Sequence, residues 1–228
     1  MTVSGCGFCA EVYSGQLNDP LLSMFGAPHL TRTILRTSNA FVAPSLGPLT
    51  NDHCLVVSAS HHDCLRDTPD SERLPLLKTA QLVAGRLEVA SGLPSLMFEN
   101  GAARGAASDG EQCVRHTHIH VLTVTPAAAA RAEAALEAAH PARLRETGDG
   151  YALLTSAGQQ PSEDYVYWQR EGQAAMIRGP GLHRQAFRRA LSAALGLRQW
   201  NWRDHPGLER VRAMANDLKP VMAGITAP

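Results

Sequence analysis

His116, His118 and His120 stand at alternate positions in Arg115-His-Thr-His-Ile-His-Val-Leu122. In an extended chain a period of two turns all three imidazoles to one face and Thr117, Ile119 and Val121 to the other. Imidazoles this close raise the cost of protonating one another, so at least one stays neutral near pH 7. A neutral imidazole can ligate a metal or attack an electrophile; the competing account is a strand with a solvated polar face. Cys6-Gly-Phe-Cys9 is a second group with chemistry in its spacing, because two thiolates in a C-x-x-C turn can reach one ion. A redox pair of this kind opens a helix inside a βαβ unit. This one precedes any expected strand, which favours zinc, although on spacing alone an inert turn accounts for it equally well.

The surrounding pattern says which elements must position these groups. Thr31–Arg36, Asn39–Pro44 and the apolar run Cys54-Leu-Val-Val-Ser58 are expected as strands, the last ending at Ser60-His61-His62. Residues 14–30 are punctuated by Gly, Ser and Pro and are expected as loop with one short helix. Ser71 is the expected N-cap of a long helix whose apolar face runs through Leu76, Leu77, Ala80, Val83, Ala84 and Leu87 to a stop at Ser91-Gly92-Leu93-Pro94. Ser95–Glu99 is a further strand, and 100–111 a Gly/Ala/Ser-rich loop that delivers the chain to the histidines. After Thr125-Pro126 the composition shifts. Ala127–His140, His183–Leu195 and Pro206–Leu218 are expected helices; Tyr151–Ser156, Tyr165–Arg170 and Ala174–Arg178 are expected strands. Arg188 and Arg189 are expected on a solvated helix face, and Cys54 and Cys64 as buried small residues.

Composition narrows the classes. The 228 residues are 44% hydrophobic and 18% charged, which suits a globular protein with one core and an appendage. Twenty-one Lys plus Arg balance 21 Asp plus Glu, so no nucleic-acid or membrane partner is expected from charge. No apolar run reaches the roughly 18 residues of a membrane span, and no secretory signal is visible at the N-terminus. A cytoplasmic location follows as the expectation. Five cysteines, an odd number, fit metal binding better than a disulfide framework.

His116-Thr-His118-Ile-His120-Val-Leu resembles the histidine-triad (HIT) motif, His-φ-His-φ-His-φ-φ, with Thr117 as a polar departure. Ser108-Asp-Gly-Glu-Gln112-Cys-Val-Arg-His116 is similar to the Gly-Gln-Ser/Thr-φ-x-His segment that leads into that motif. The strand before Ser60-His61 is similar to the family's φ-φ-Pro-Lys-x-His segment, without its Pro and Lys. The resemblance implies an α+β fold, an antiparallel sheet flanked by helices over 1–125, with an α+β C-terminal extension at 126–228. It implies a nucleotide hydrolase acting on a nucleoside phosphate derivative, a phosphoramidate or a dinucleoside polyphosphate. His118 would be the nucleophile, His120 would hold phosphate oxygens and Gln112 would contact the phosphate. Glu99, Asn100 and Cys113 match substrate-contacting positions, with Cys113 in place of a common Ser or Thr. A nucleotidyltransferase or phosphorylase using the same intermediate, or a nonenzymatic nucleotide-binding protein, are the alternatives. Bacterial members with C-x-x-C imply a structural zinc on Cys6, Cys9, His61 and His116, with His53 and His62 as rival ligands by proximity. A homodimer is likewise implied. Ser45 stands where many relatives carry a ribose-binding Asp.

Overall fold

A computed structural model describes residues 6–17, 20–101, 115–155, 163–179, 181–182 and 185–226. Eight strands form one sheet: β1 (Leu35–Arg36), β2 (Ala40–Pro44), β3 (Cys54–Ser58), β4 (Ser95–Gly101), β5 (His118–Thr123), β6 (Glu146–Gly148), β7 (Tyr165–Arg170) and β8 (Gln173–Arg178). Their order is β1-β2-β3-β5-β4-β7-β8-β6. Every neighbouring pair is antiparallel. The fold is therefore α+β, an open antiparallel sheet with helices on its faces.

The strands owe their places to which faces need cover. β2 and β3 are buried at every position, so both of their faces carry apolar side chains. One side of the sheet is covered by α3 (Asp70–Ser91), whose stripe Leu76, Leu77, Ala80, Val83, Ala84 and Leu87 packs on Val42, Val56, Met97, Ile119 and Val121. That contact fixes the phase of β5. With Ile119 and Val121 turned to α3, His118 and His120 must face the other side. The helix starts at Asp70 after Pro69, one residue before the expected cap, and Ser71 does not cap it; Asp70 and Glu72 supply first-turn negative charge instead. It stops at Gly92, whose φ of 71° carries the N–H back to the Glu88 carbonyl.

The second half extends the same sheet. β7 pairs along the outer edge of β4, with Gly101 opposite Tyr165, Glu99 opposite Tyr167 and Phe98 opposite Trp168. A Cβ on Gly101 would fall inside the Tyr165 ring, so this register requires glycine there. On the histidine side, α4 (Pro126–Ala139) and α6 (Ala186–Ala194) cover Leu96, Phe98, Leu122, Val166 and Trp168. The small residues Ala128, Ala129 and Ala132 of α4 form part of that layer. The sheet and its core thus run without a break across residue 126.

Three expectations change. Cys6-Gly-Phe-Cys9 is not a bare turn: it opens α1 (Gly7–Ser14), with Cys6 as N-cap accepting the Cys9 N–H. Tyr151–Thr155 is helical, in α5 (Gly150–Thr155), because Asp149 accepts the Ala152 N–H and the adjacent buried pair Leu153-Leu154 lacks strand alternation. Thr31–Arg36 is strand only at Leu35–Arg36. The expected loop at 14–30 contains α2 (Pro20–Met24), and α7 (Leu208–Val221) closes the order.

Candidate active site and metal site

The three histidines face different neighbours, and each ring is fixed by what its second nitrogen meets. His116 lies just before β5, with Nε2 2.8 Å from the Ser58 carbonyl oxygen. A carbonyl only accepts, so Nε2 carries the proton and Nδ1 presents its lone pair. That Nδ1 lies 3.5 Å from Cys6 Sγ and 3.6 Å from Cys9 Sγ, and His61 Nδ1 lies 3.3 Å from Cys9 Sγ. All four donor atoms fall within 4.8 Å of one another, a group that could hold a metal ion. Burial lowers His116 to about 4 and pushes the Cys6 thiol up to about 11. The imidazole is thus ready to ligate, and the thiol needs a cation to lose its proton near neutrality. The neighbours His53 and His62 are engaged elsewhere: His62 Nε2 sits 3.2 Å from Glu72 Oε2.

His118 is the middle ring. Its Nδ1 lies 2.7 Å from the His116 carbonyl oxygen, so Nδ1 is the donor and Nε2 keeps a bare lone pair. The edge of Phe8, delivered by α1, closes on it at 5.3 Å between ring centroids. Burial holds its basicity down, and the His116 carbonyl opposes that only in part. The result is a neutral imidazole with one exposed nucleophilic nitrogen.

His120 is set by a residue 67 positions away. His53 is fully buried; its Nδ1 accepts the Leu49 N–H at 3.1 Å, which places its own proton on Nε2. That Nε2 is 2.9 Å from His120 Nδ1, so His53 donates and His120 accepts. The remaining proton of His120 is thereby forced onto Nε2. Phe98 stacks on the His120 ring at 4.4 Å and 4°. Burial drives both His53 and His120 well below the ordinary histidine range, so the pair stays neutral. His118 and His120, with centroids 5.1 Å apart, present opposite functions: a lone pair on one and an N–H on the other.

Both rings line a cleft with about 570 Å³ of empty space. Its apolar walls are Phe8, Leu17, Leu46, Leu55 and Trp202; its polar groups are Arg32, Ser45, Asn100, Gln185 and Arg188. Asn100 Oδ1 accepts the Phe187 N–H at 3.1 Å, which commits the oxygen and leaves the NH2 to the cleft. Arg32 forms a buried pair with Glu11 of α1 at 2.9 Å.

Glu99, next to Asn100, turns to the opposite face of β4. It is buried there, accepting from the Tyr165 hydroxyl and from the Leu65 N–H at 2.8 Å. It does not line the cleft, because alternation along a strand sends neighbours to opposite sides. Gln112 and Cys113 lie outside the described residues. Thr117, the polar departure from the motif, is satisfied by the Thr68 hydroxyl at 3.0 Å and the His62 carbonyl at 3.1 Å. Two site residues carry little sequence signal. The one hint for His53 is its place directly before a strand that neighbours β5. Arg188, expected on a solvated face, is only 2% exposed, while Arg189 beside it is exposed.

Comparison with known proteins finds matches to part of the chain. The family model of the HIT domain matches residues 30–126. Adenylylsulfatase HINT3 of Arabidopsis thaliana is 32% identical over 77 residues, 33% of this chain and 36% of the relative. The crystal structure of the C. elegans NitFhit protein is 27% identical with a TM-score of 0.36, over 43% of this chain and 23% of that one. Yeast Ap4A phosphorylase Apa2, solved in complex with AMP, is 11% identical with a TM-score of 0.39, over 77% and 80%. The chain spans about a third of the length of the curated relative it matches. Among the described residues no helix is long and apolar enough to cross a membrane. Residues 30–126 of this chain match the HIT domain, the domain of the histidine triad proteins.

Proposed function

We propose that this chain hydrolyses a nucleoside phosphate derivative through a nucleotidyl-histidine on His118. The observation that carries this reading is the proton placement. The His116 carbonyl holds the proton of His118 on Nδ1, which leaves Nε2 as a neutral nucleophile in the cleft. In the first step the Nε2 lone pair bonds to phosphorus, and the bond from phosphorus to the leaving group breaks with its electron pair on the departing atom. His120 supplies an N–H to the phosphate oxygens or the departing atom, in the orientation His53 imposes. Water then attacks the same phosphorus and releases its proton to solvent, while the bond from phosphorus to His118 Nε2 breaks and its electron pair returns to that nitrogen. Asn100 contributes its NH2 to the phosphate oxygens. Gln112 keeps the phosphate-contacting role implied by the resemblance, and Cys113 a place beside the leaving group. The adenylylsulfatase relative supports a nucleotide as the class of substrate.

The metal in this reading is a structural zinc. A tetrahedral zinc with Zn–S of about 2.3 Å and Zn–N of about 2.0–2.1 Å separates its sulfur and nitrogen ligands by roughly 3.5 Å. The S···N separations of 3.3, 3.5 and 3.6 Å fit that edge. Zinc would supply cross-linking energy and no chemistry at phosphorus; Cys6, Cys9, His61 and His116 would tie α1 to the end of β5. A homodimer also belongs to the reading, favoured by the exposed apolar residues Leu74, Leu82 and Val89 on α3. A monomer mass in light scattering at assay concentration would contradict it.

The test is a single-turnover assay with an adenylyl substrate, with and without inorganic phosphate. Hydrolysis predicts AMP in both cases and no turnover in His118→Ala. Product only with phosphate would assign transfer to phosphate instead. Equal behaviour of wild type and mutant across a nucleotide panel would assign a binding protein.

A further inference from the structure

Two of the chain's three tryptophans fall in Trp200-Asn-Trp-Arg203, between α6 and α7 and beyond the residues that match the HIT domain. The segment is a tight turn seated on the loop that leaves β2. The Asn201 carbonyl accepts the Asp204 and His205 N–H groups at 3.2 and 3.0 Å, and Asn201 Oδ1 accepts the Arg203 N–H at 3.2 Å. The turn is tied down on both sides. Gly47 donates its N–H to the Pro206 carbonyl at 2.7 Å, and Arg188 Nε donates to the Trp200 carbonyl at 2.9 Å. A Cβ on Gly47, at φ 54°, would lie 2.9 Å from Trp202 Cα and 2.8 Å from the His205 carbonyl oxygen, so only glycine lets the turn sit this close.

The consequence is an indole in the wall of the histidine cleft. Trp202 is half-buried and packs on the apolar cluster of Leu17 and Leu46, which line the same cleft. The Arg203 guanidinium lies over the indole, 4.7 Å from the ring centroid, and Arg203 is not among the described residues lining the cleft. Phe8, the other phenyl-type ring in the wall, is taken up by edge contacts with Phe41, His116 and His118 at 6.2, 5.8 and 5.3 Å between centroids. The cleft thus has two chemical regions: polar groups at His118, His120 and Asn100, and an apolar region at Leu17, Leu46 and Trp202. A nucleotide carries the same division, a charged phosphate and a flat base whose faces gain from leaving water. Sulfate, phosphate and amine leaving groups are polar throughout and gain nothing from an indole, whereas a base stacks on it.

We propose that Trp202 binds the nucleobase of the substrate by stacking, so that the segment after α6 completes the substrate site. This rests on the nucleotide reading above and assigns the part of that substrate which His118 and His120 do not engage. The turn is fixed before a ligand arrives, so the indole is presented at little ordering cost.

The experiment measures the Kd of AMP, and of ribose 5-phosphate as the same phosphate without its base, for the full-length chain, Trp202→Ala and Trp202→Phe. Trp202→Ala should bind AMP about 10–100-fold more weakly, the loss of one base–aromatic stack, while ribose 5-phosphate changes by less than about twofold. Trp202→Phe, which keeps a ring, should bind AMP within about threefold of wild type. A second readout uses the wild-type chain with 5-fluorotryptophan in place of tryptophan. The fluorine signal that is absent from Trp202→Phe should shift with AMP and stay in place with ribose 5-phosphate. An AMP affinity of Trp202→Ala within about twofold of wild type overturns the proposal. So does an equal loss for both ligands, or bound AMP that leaves the Trp202 signal unmoved. Failure of the hydrolase reading looks different: AMP moves the Trp202 signal, which supports the stacking, but no nucleotidyl group forms on His118. A wild-type chain that binds no AMP overturns both.

Discussion

The two ends of the histidine strand put the same side chain into opposite surroundings. At the His116 end, Nδ1 meets two thiols and a second imidazole, a set of soft donors that can share a cation. At the His120 end, Nδ1 meets the N–H of His53, and a guanidinium lies in the wall of the same cleft. Between them His118 has only a backbone carbonyl on its inner nitrogen. Burial keeps all three neutral, so burial does not distinguish them. What distinguishes them is the group on the second ring nitrogen, which decides whether the first offers a lone pair to a metal, a lone pair to phosphorus, or a proton to oxygen.

This contrast can be broken one end at a time. Replacing His118 by Ala removes the nucleophile and should lower turnover by roughly 10³-fold or more, with metal content and melting temperature unchanged. Cys9→Ser attacks the other end. One bound zinc per chain should fall to a fraction of that by elemental analysis, and the melting temperature should drop by more than about 5 °C as α1 loses its tether. Full metal content in Cys9→Ser would remove Cys9 from the ligand set. His53→Phe should leave the metal in place but free His120 to choose its tautomer, costing about 10–100-fold in kcat with a smaller change in KM. A kcat close to wild type would show that the His53–His120 bond does not govern the reaction.

The smallest effect belongs to Glu99, on the far face of β4. Burial raises its carboxyl from 4.5 to about 7, against the Tyr165 and Leu65 hydrogen bonds and the Arg73 charge, all of which pull it down. An acid whose folded value lies above its unfolded one binds more protons when folded. Its contribution is fully present below about 4.5 and is lost as pH rises through about 7. Glu99→Gln should therefore flatten the decline of stability between those pH values, by a few kcal/mol at most, while kcat stays within about twofold. A large loss of kcat with unchanged stability would return Glu99 to the substrate.

Much of this was legible because it is local. The His-x-His-x-His alternation, the Cys-x-x-Cys spacing and the α3 stripe each sit within a few turns of chain, where periodicity maps directly onto a face. His61, 52 residues from Cys9, came through its likeness to a family segment rather than from any pattern. His53 was legible only as a rival metal ligand, not as the partner of His120, and Arg188 was not legible as a site residue. One acts on His120 across 67 residues and the other on Ser45 across 143, and a lone histidine or arginine in sequence looks the same whether solvated or pinned. Glu99 was misplaced for a simpler reason: one residue along a strand reverses the face, and only the β4–β7 register shows that Asn100 keeps the cleft.

The most direct measurement is rapid quenching of the full-length chain with adenosine 5′-phosphosulfate, followed by peptide mapping of the labelled protein by mass spectrometry. The expected result is a single adenylyl group on the peptide's His118, formed and lost at rates that match turnover, and absent from His118→Ala. An adenylyl group on His116 or His120, or turnover with inverted configuration at phosphorus and no labelled intermediate, would contradict the assignment of the nucleophile.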